Sequence, residues 1–170
     1  LYGEGETITP GVYSNVGAVT ATGTLILDAR EDPNAVFVFK FGAAFATAAD
    51  FKLELIGGAS ACNVYWIAEG AIALGASNNV SGMFISNSGA IAVGNKSIVN
   101  GSLFTNGGGI NIDASEIYAS TRCETNYGSL RNFAIFTKTG GLTNVGGSKI
   151  VGDIGYISGS MTGFEEASIE

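Results

Sequence analysis

Apolar and small residues alternate along residues 71–113 in three rows that repeat every 19 residues: Ala71-Ile72-Ala73-Leu74-Gly75, Ala90-Ile91-Ala92-Val93-Gly94 and Gly109-Ile110-Asn111-Ile112-Asp113. Strict alternation over a short run is the mark of a half-buried strand. A fixed period with the same two apolar sites in each row is the mark of a stacked coil. Ile72, Ile91 and Ile110 form one expected inward column, and Leu74, Val93 and Ile112 the other. The same step of 19 links Trp66, Ile85 and Phe104, and also Tyr65, Phe84 and Leu103. A coil of this length takes three straight segments and three corners. Each coil leaves open strand edges that only the next coil satisfies. The pattern predicts a β-solenoid of about five to seven rungs.

Other apolar runs fit the same scheme. Val36-Phe37-Val38-Phe39-Lys40-Phe41, Leu53-Glu54-Leu55-Ile56 and Val64-Tyr65-Trp66-Ile67 read as strands. Both faces of the first are apolar, so that strand is expected to be covered on both sides. Gly occurs 26 times and Pro twice, which suits many short strands joined by tight corners, Gly107-Gly108-Gly109 among them. No segment shows a capped helical stripe. The chain reads as all-β.

The period breaks after Ile117. Residues 121–132 are polar and aperiodic and read as a connector. A related phrase, Gly141-Leu142-Thr143-Asn144-Val145-Gly146 followed by Lys149-Ile150-Val151, returns 52 residues after Gly89. Because 52 is not a multiple of 19, this rung is not expected to be the next sequential coil. The chain divides into residues 1–128, a solenoid body, and 129–170, a segment that completes this solenoid or a neighbouring copy.

Composition removes several function classes. Charged residues make up 14% of the 170, about half the usual share. The net charge of −7 argues against nucleic-acid and anionic-membrane partners, which need a basic face. No apolar run is long enough to span a bilayer. The chain opens at Leu1, as a mature or excised piece of something longer would. With no His there is no Ser–His or Cys–His machinery and no His metal site. Asp28, Arg30, Glu31 and Asp32 lack the spacing of a calcium loop and read as solvated turn charges. Asp113 and Glu116 are an acid pair without a cleft. Glu165, Glu166 and Glu170 read as a solvated tail. No cofactor, metal site or catalytic group is expected, and the protein reads as a non-enzyme. Cys62 and Cys123 have two readings: one disulfide, which fits an extracellular or cell-surface location, or two buried thiols. Three Asn-x-Ser acceptor patterns begin at Asn79, Asn95 and Asn100.

Specific phrases carry a resemblance. Thr9-Pro10-Gly11-Val12-Tyr13, Asp32-Pro33-Asn34-Ala35-Val36-Phe37-Val38-Phe39 and Ala61-Cys62-Asn63-Val64-Tyr65-Trp66 resemble, in order, phrases of the ice-binding-protein domain family. The resemblance implies a triangular right-handed β-solenoid with one long helix packed alongside. Two departures stand out. Residues 129–170 resemble the start of such a domain but come last, in permuted order, and the long helix has no counterpart. Family members carry Thr-Ala/Gly-x-Thr/Asn motifs on a flat face. The best match here is Thr47-Ala48-Ala49-Asp50, and later turns read Gly75-Ala76-Ser77-Asn78, Gly94-Asn95-Lys96-Ser97 and Asp113-Ala114-Ser115-Glu116. The candidate ice-facing or partner-facing residues are therefore Thr47, Ala48, Ser77, Asn79, Asn95, Ser97 and Ser115. Asp50, Lys96 and Glu116 carry hydrated charges that disrupt an ice-ordering array, and Lys52 and Lys149 do the same if they share that face.

Two functions follow. The first is a non-enzymatic structural or adhesive module of an extracellular fibre, assembled head to tail with other copies of itself. In that reading residues 129–170 cover the open edges and the two-sided apolar strand of a neighbour. The alternative is an ice-binding protein acting through a flat solenoid face.

Overall fold

The computed structural model describes residues 2–119, 130, 132–165 and 167–170. The chain winds as a three-faced solenoid in which every strand pair is parallel, and among the described residues there is no α-helix.

A short-strand face is built from β1 (Tyr2–Gly3), β4 (Val19–Thr22), β7 (Phe45–Thr47), β10 (Ile72–Leu74), β12 (Ile91–Val93), β14 (Ile110–Asp113), β17 (Leu142–Val145) and β20 (Met161–Thr162). A second face carries β2 (Glu6–Ile8), β5 (Thr24–Asp28), β8 (Lys52–Ile56), the first halves of β11 (Asn79–Ser86) and β13 (Ile98–Thr105), then β15 (Glu116–Tyr118), β18 (Lys149–Val151) and β21 (Ser168–Ile169). The third face holds β3 (Gly11–Asn15), β6 (Phe37–Phe41), β9 (Val64–Ala68), the second halves of β11 and β13, β16 (Phe133–Thr139) and β19 (Asp153–Ser158).

The two predicted columns are present and inward. Ile72 pairs with Ile91 and Ile91 with Ile110; Leu74 pairs with Val93 and Val93 with Ile112; all six are buried. The second face adds Val80, Val99, Ile117 and Ile150. The third adds an aromatic stack: Trp66 lies 4.3 Å from Phe39 and 5.9 Å from Phe84 by ring centroids, with Phe45 at 5.2 Å. The Trp66 indole N–H donates to the carbonyl of Ser81 at 3.1 Å, so the buried ring leaves no orphan donor. Burying one such Ile, Leu or Phe contributes about 1.5–3 kcal/mol.

Among the described residues the third face carries seven strands, within the expected five to seven rungs, and short strands at either end bring the other two faces to eight. Three sequence expectations change. Trp66 pairs with Phe84, not Ile85, so the step there is 18. The corner after Ser86 is one residue longer than the corner after Ala68, which restores 19 on the next face. The strand at Phe37–Phe41 is covered on one side only. Phe37, Phe39 and Phe41 are buried, whereas Val36 is 43% exposed and Lys40 is exposed. Finally, Gly141–Val151 is the next sequential coil. Leu142 pairs with Ile110 and Ile150 with Ile117, at steps of 32 and 33, and Met161 then pairs with Leu142 at a resumed 19. The excess is an insertion at the 121–132 connector, which lies almost entirely outside the described residues.

The bend inside β11 and β13 needs glycine. Gly82 has a φ of 113°, and a Cβ on Gly101 would sit 1.8 Å from the carbonyl oxygen of Gly82 in the coil before it. Gly101→Ala is expected to lower unfolding free energy by about 1–3 kcal/mol or more, because the obstruction is backbone and cannot rotate away. Urea unfolding of the variant checks this. Asp28 and Asp32 accept backbone N–H groups of Arg30 and Asn34, both at 2.9 Å, as turn residues do.

Candidate functional site

Alternation leaves one residue facing outward in seven of the eight short strands. The register aligns these into one ladder: Thr20, Ala46, Ala73, Ala92, Asn111, Thr143 and Thr162. At about 4.8 Å per rung it runs about 29 Å. On one side of it lie Ala44, Ala71, Ala90, Gly109 and Gly141, whose carbonyls accept the N–H groups of Val19, Phe45, Ile72, Ile91 and Ile110 at 2.9–3.0 Å. On the other lie Ala48, Gly75 and Gly94. The result is a surface of methyl groups, hydroxyls, the Asn111 carboxamide and bare backbone. Ala and Gly have no side-chain rotamers to restrict, and Thr is stiff at χ1, so the surface is rigid as well as flat.

The ladder itself carries no charge, and three of the charged residues expected on it lie on another face. Lys52, Glu116 and Lys149 occupy a single column on the second face, running Thr24, Lys52, Asn79, Ile98, Glu116, Lys149 and Ser168. Two of them are tied to neighbours on the same face, Tyr118 and Glu170. Lys149 Nζ lies 3.2 Å from Glu170 Oε1 and 6.0 Å from the centre of the Tyr118 ring, and the Tyr118 hydroxyl donates to Glu116. The bond to Glu170 raises the Lys149 ammonium pKa, and the bond to Glu116 raises that of the Tyr118 phenol. Of the residues expected to disrupt the flat array, only Asp50 and Lys96 lie beside it. Both sit at the corner in the left-handed region, with φ of 59°. Asp113 lies on the rim.

The seven residues expected from motif matching do not form one surface. Thr47, Ser97 and Ser115 are 6%, 0% and 2% exposed and point inward, so they cannot face ice or a partner. Each falls on an inward phase of its coil and hydrogen-bonds there to backbone or to a neighbouring coil's side chain. Ala48 lies half-buried on the rim of the flat face. Ser77 is exposed at the same corner as Asp50 and Lys96, with φ of 58°, and Asn95 is half-buried beside it. Asn79 is exposed but belongs to the charged column, opposite Lys52. The motif search missed the central ladder, although Ala73, Ala92 and Asn111 are the middle letters of the three rows that reveal the repeat. Cys62 is disulfide-bonded; Cys123, the chain's other cysteine, lies outside the described residues.

The family model described as ice-binding-like matches residues 2–118. The chain belongs to that family. It is 42% identical over 78 residues to ice-binding protein 1 of Shewanella frigidimarina, a stretch covering 45% of this chain and 9% of that protein. It is 37% identical over 82 residues to an ice-binding protein of Nostoc, covering 48% of this chain and 30% of the relative. The figures for an ice-binding protein of the fungus Lentinula edodes are 32% over 81 residues, 48% and 28%. The matches thus span less than a third of each of these relatives. The fold matches the crystal structure of an ice-binding protein from an Antarctic Flavobacteriaceae bacterium with a TM-score of 0.66 and 28% identity, over 99% of this chain and 43% of that one.

Proposed function

We propose that this member of the ice-binding-like family binds ice through the short-strand face, outside the cell. The observation that carries this reading is the uncharged ladder from Thr20 to Thr162, with the Lys and Glu column segregated to a different face. A lattice of water is held best by a surface that is itself regular. Evenly spaced small groups can order a water layer, whereas a long charged side chain keeps its own hydration shell and sweeps a volume that excludes one. The disulfide at Cys62 fits an oxidising, extracellular setting.

The ice reading is favoured over the head-to-tail fibre. That fibre draws on residues 129–170 to add strands to a neighbouring copy, whereas β16, β17 and β18 pair with β13, β14 and β15 of the same chain. The purified chain at micromolar concentration is expected to shape ice crystals and depress their growth temperature. Unshaped, freely growing crystals would reject the ice reading. Glu116→Gln and Lys149→Gln, on the charged face, are expected to leave that activity within about the error of wild type, since exposed pairs contribute little to stability. Loss of activity in either, with the fold intact, would move the site to the second face.

A further inference from the structure

The short-strand face is framed by two rows of buried hydrogen-bonding side chains. The first follows the corner where each coil enters the face. Ser86, Thr105 and Thr137 stack in register and are buried. The Ser86 hydroxyl lies 2.8 and 2.6 Å from the carbonyl oxygens of Gly70 and Gly89, with one proton to donate between them, and accepts the Gly89 N–H at 3.1 Å. Thr105 and Thr137 donate to the carbonyls of Gly89 and Gly108, both at 2.8 Å.

The second row follows the corner where each coil leaves. There Asn78 Oδ1 accepts the Phe51 N–H at 2.8 Å, Ser97 Oγ the Asn78 N–H at 3.1 Å, Ser115 Oγ the Ser97 N–H at 3.0 Å and Ser148 Oγ the Ser115 N–H at 3.2 Å. Ser97 and Ser115 also donate back to the carbonyls of Gly75 and Gly94, each at 2.9 Å. Among the described residues, no buried side-chain nitrogen or oxygen lacks a partner.

The anchor points have a pattern. Gly70 and Gly75 bracket β10, and Gly89 and Gly94 bracket β12, so each of these two central strands is held at both ends by side chains reaching from inside the coil. Polar groups inside a low-dielectric core fix geometry strongly when fully satisfied. Aliphatic columns alone do not specify position as sharply, because their attraction is non-directional.

We propose that these two rows are rails that set the planarity and rung spacing of the ice-facing ladder, and that Ser86, Thr105, Thr137, Ser97 and Ser115 are positioning residues for ice binding. This rests on the ice-binding reading of the same face. Ice never touches these groups; they act by fixing Ala73, Ala92 and Asn111 in one plane.

The test compares rail variants with a core variant of equal cost. Thr105→Val keeps the side-chain shape and removes the hydroxyl, and Ser115→Ala does the same on the other rail. Val99→Ala, in the aliphatic column under the charged face, destabilises without removing a hydrogen bond of either rail. All are assayed just below 0 °C after circular dichroism shows them folded, and Ser86→Ala replaces any rail variant that does not fold. The rail variants are expected to lose most of their thermal hysteresis, because a site whose supporting residues are loosened no longer holds its geometry. Val99→Ala should stay near wild type at a matched melting temperature, and Thr105→Ser and Ser115→Thr, which keep a hydroxyl, should retain activity. Rail variants that merely track Val99→Ala, or hydroxyl-retaining variants as inactive as the deletions, would overturn the proposal. A wild-type chain with no hysteresis at all would instead reject the ice-binding reading, and the rails with it.

Discussion

An Ala92→Lys variant is expected to lose ice activity almost completely while its melting temperature stays within about 2 °C of wild type. Ala92 stands near the centre of the outward ladder, between Ala73 and Asn111, with its side chain in solvent. A lysine there removes no core contact and breaks no hydrogen bond, so the folding free energy has little reason to move. The surface it enters is interrupted near its centre. A four-carbon stem with a strongly hydrated ammonium stands above neighbouring methyl groups, and water cannot pack in register over it. Thermal hysteresis paired with calorimetry separates the two effects. Equal loss of both would mean that Ala92 is structural and that the ladder is not the working surface.

The second large effect is on stability. Trp66→Ala is expected to cost about 3–5 kcal/mol, a large part of the total for a domain of this size. Trp66 is 1% exposed and stacks between Phe39 and Phe84, with Phe45 alongside. Removing the ring opens a cavity that three aromatic neighbours, each on a rigid strand, cannot close. It also leaves the Ser81 carbonyl without the indole donor. Urea unfolding should show the midpoint falling sharply with little change in slope. A cost under about 1 kcal/mol would mean that the third face repacks freely, unlike a close-packed core.

The solenoid was legible because its repeat lies in the apolar letters. Ile72, Ile91 and Ile110 announce a column, and the structure keeps all three buried in register. Two things blurred the rest. A corner one residue longer after Ser86 than after Ala68 shifts the third face by one position, so counting 19 from Trp66 lands on Ile85 instead of Phe84. An insertion at the connector hides that Leu142 follows Ile110 directly in space. The site was less legible for a different reason. Small polar residues serve both inside and outside a solenoid, and their identity does not say which. Ser97 and Ser115 look like surface hydroxyls until the left-handed corner residues Lys96 and Ala114 are placed; those corners turn the following side chain inward. The charged residues misled in the opposite sense. Lys52, Glu116 and Lys149 seemed to spoil the array, yet a coil has three faces, and they sit on another one.

The most direct measurement is adsorption of fluorescently labelled protein to a single ice crystal, comparing wild type with Ala92→Lys on the short-strand face and with Lys149→Gln on the charged face. If the short-strand face is the working surface, wild type and Lys149→Gln coat defined planes of the crystal and Ala92→Lys leaves it dark. Bright planes with Ala92→Lys, or loss of binding with Lys149→Gln alone, would contradict the account.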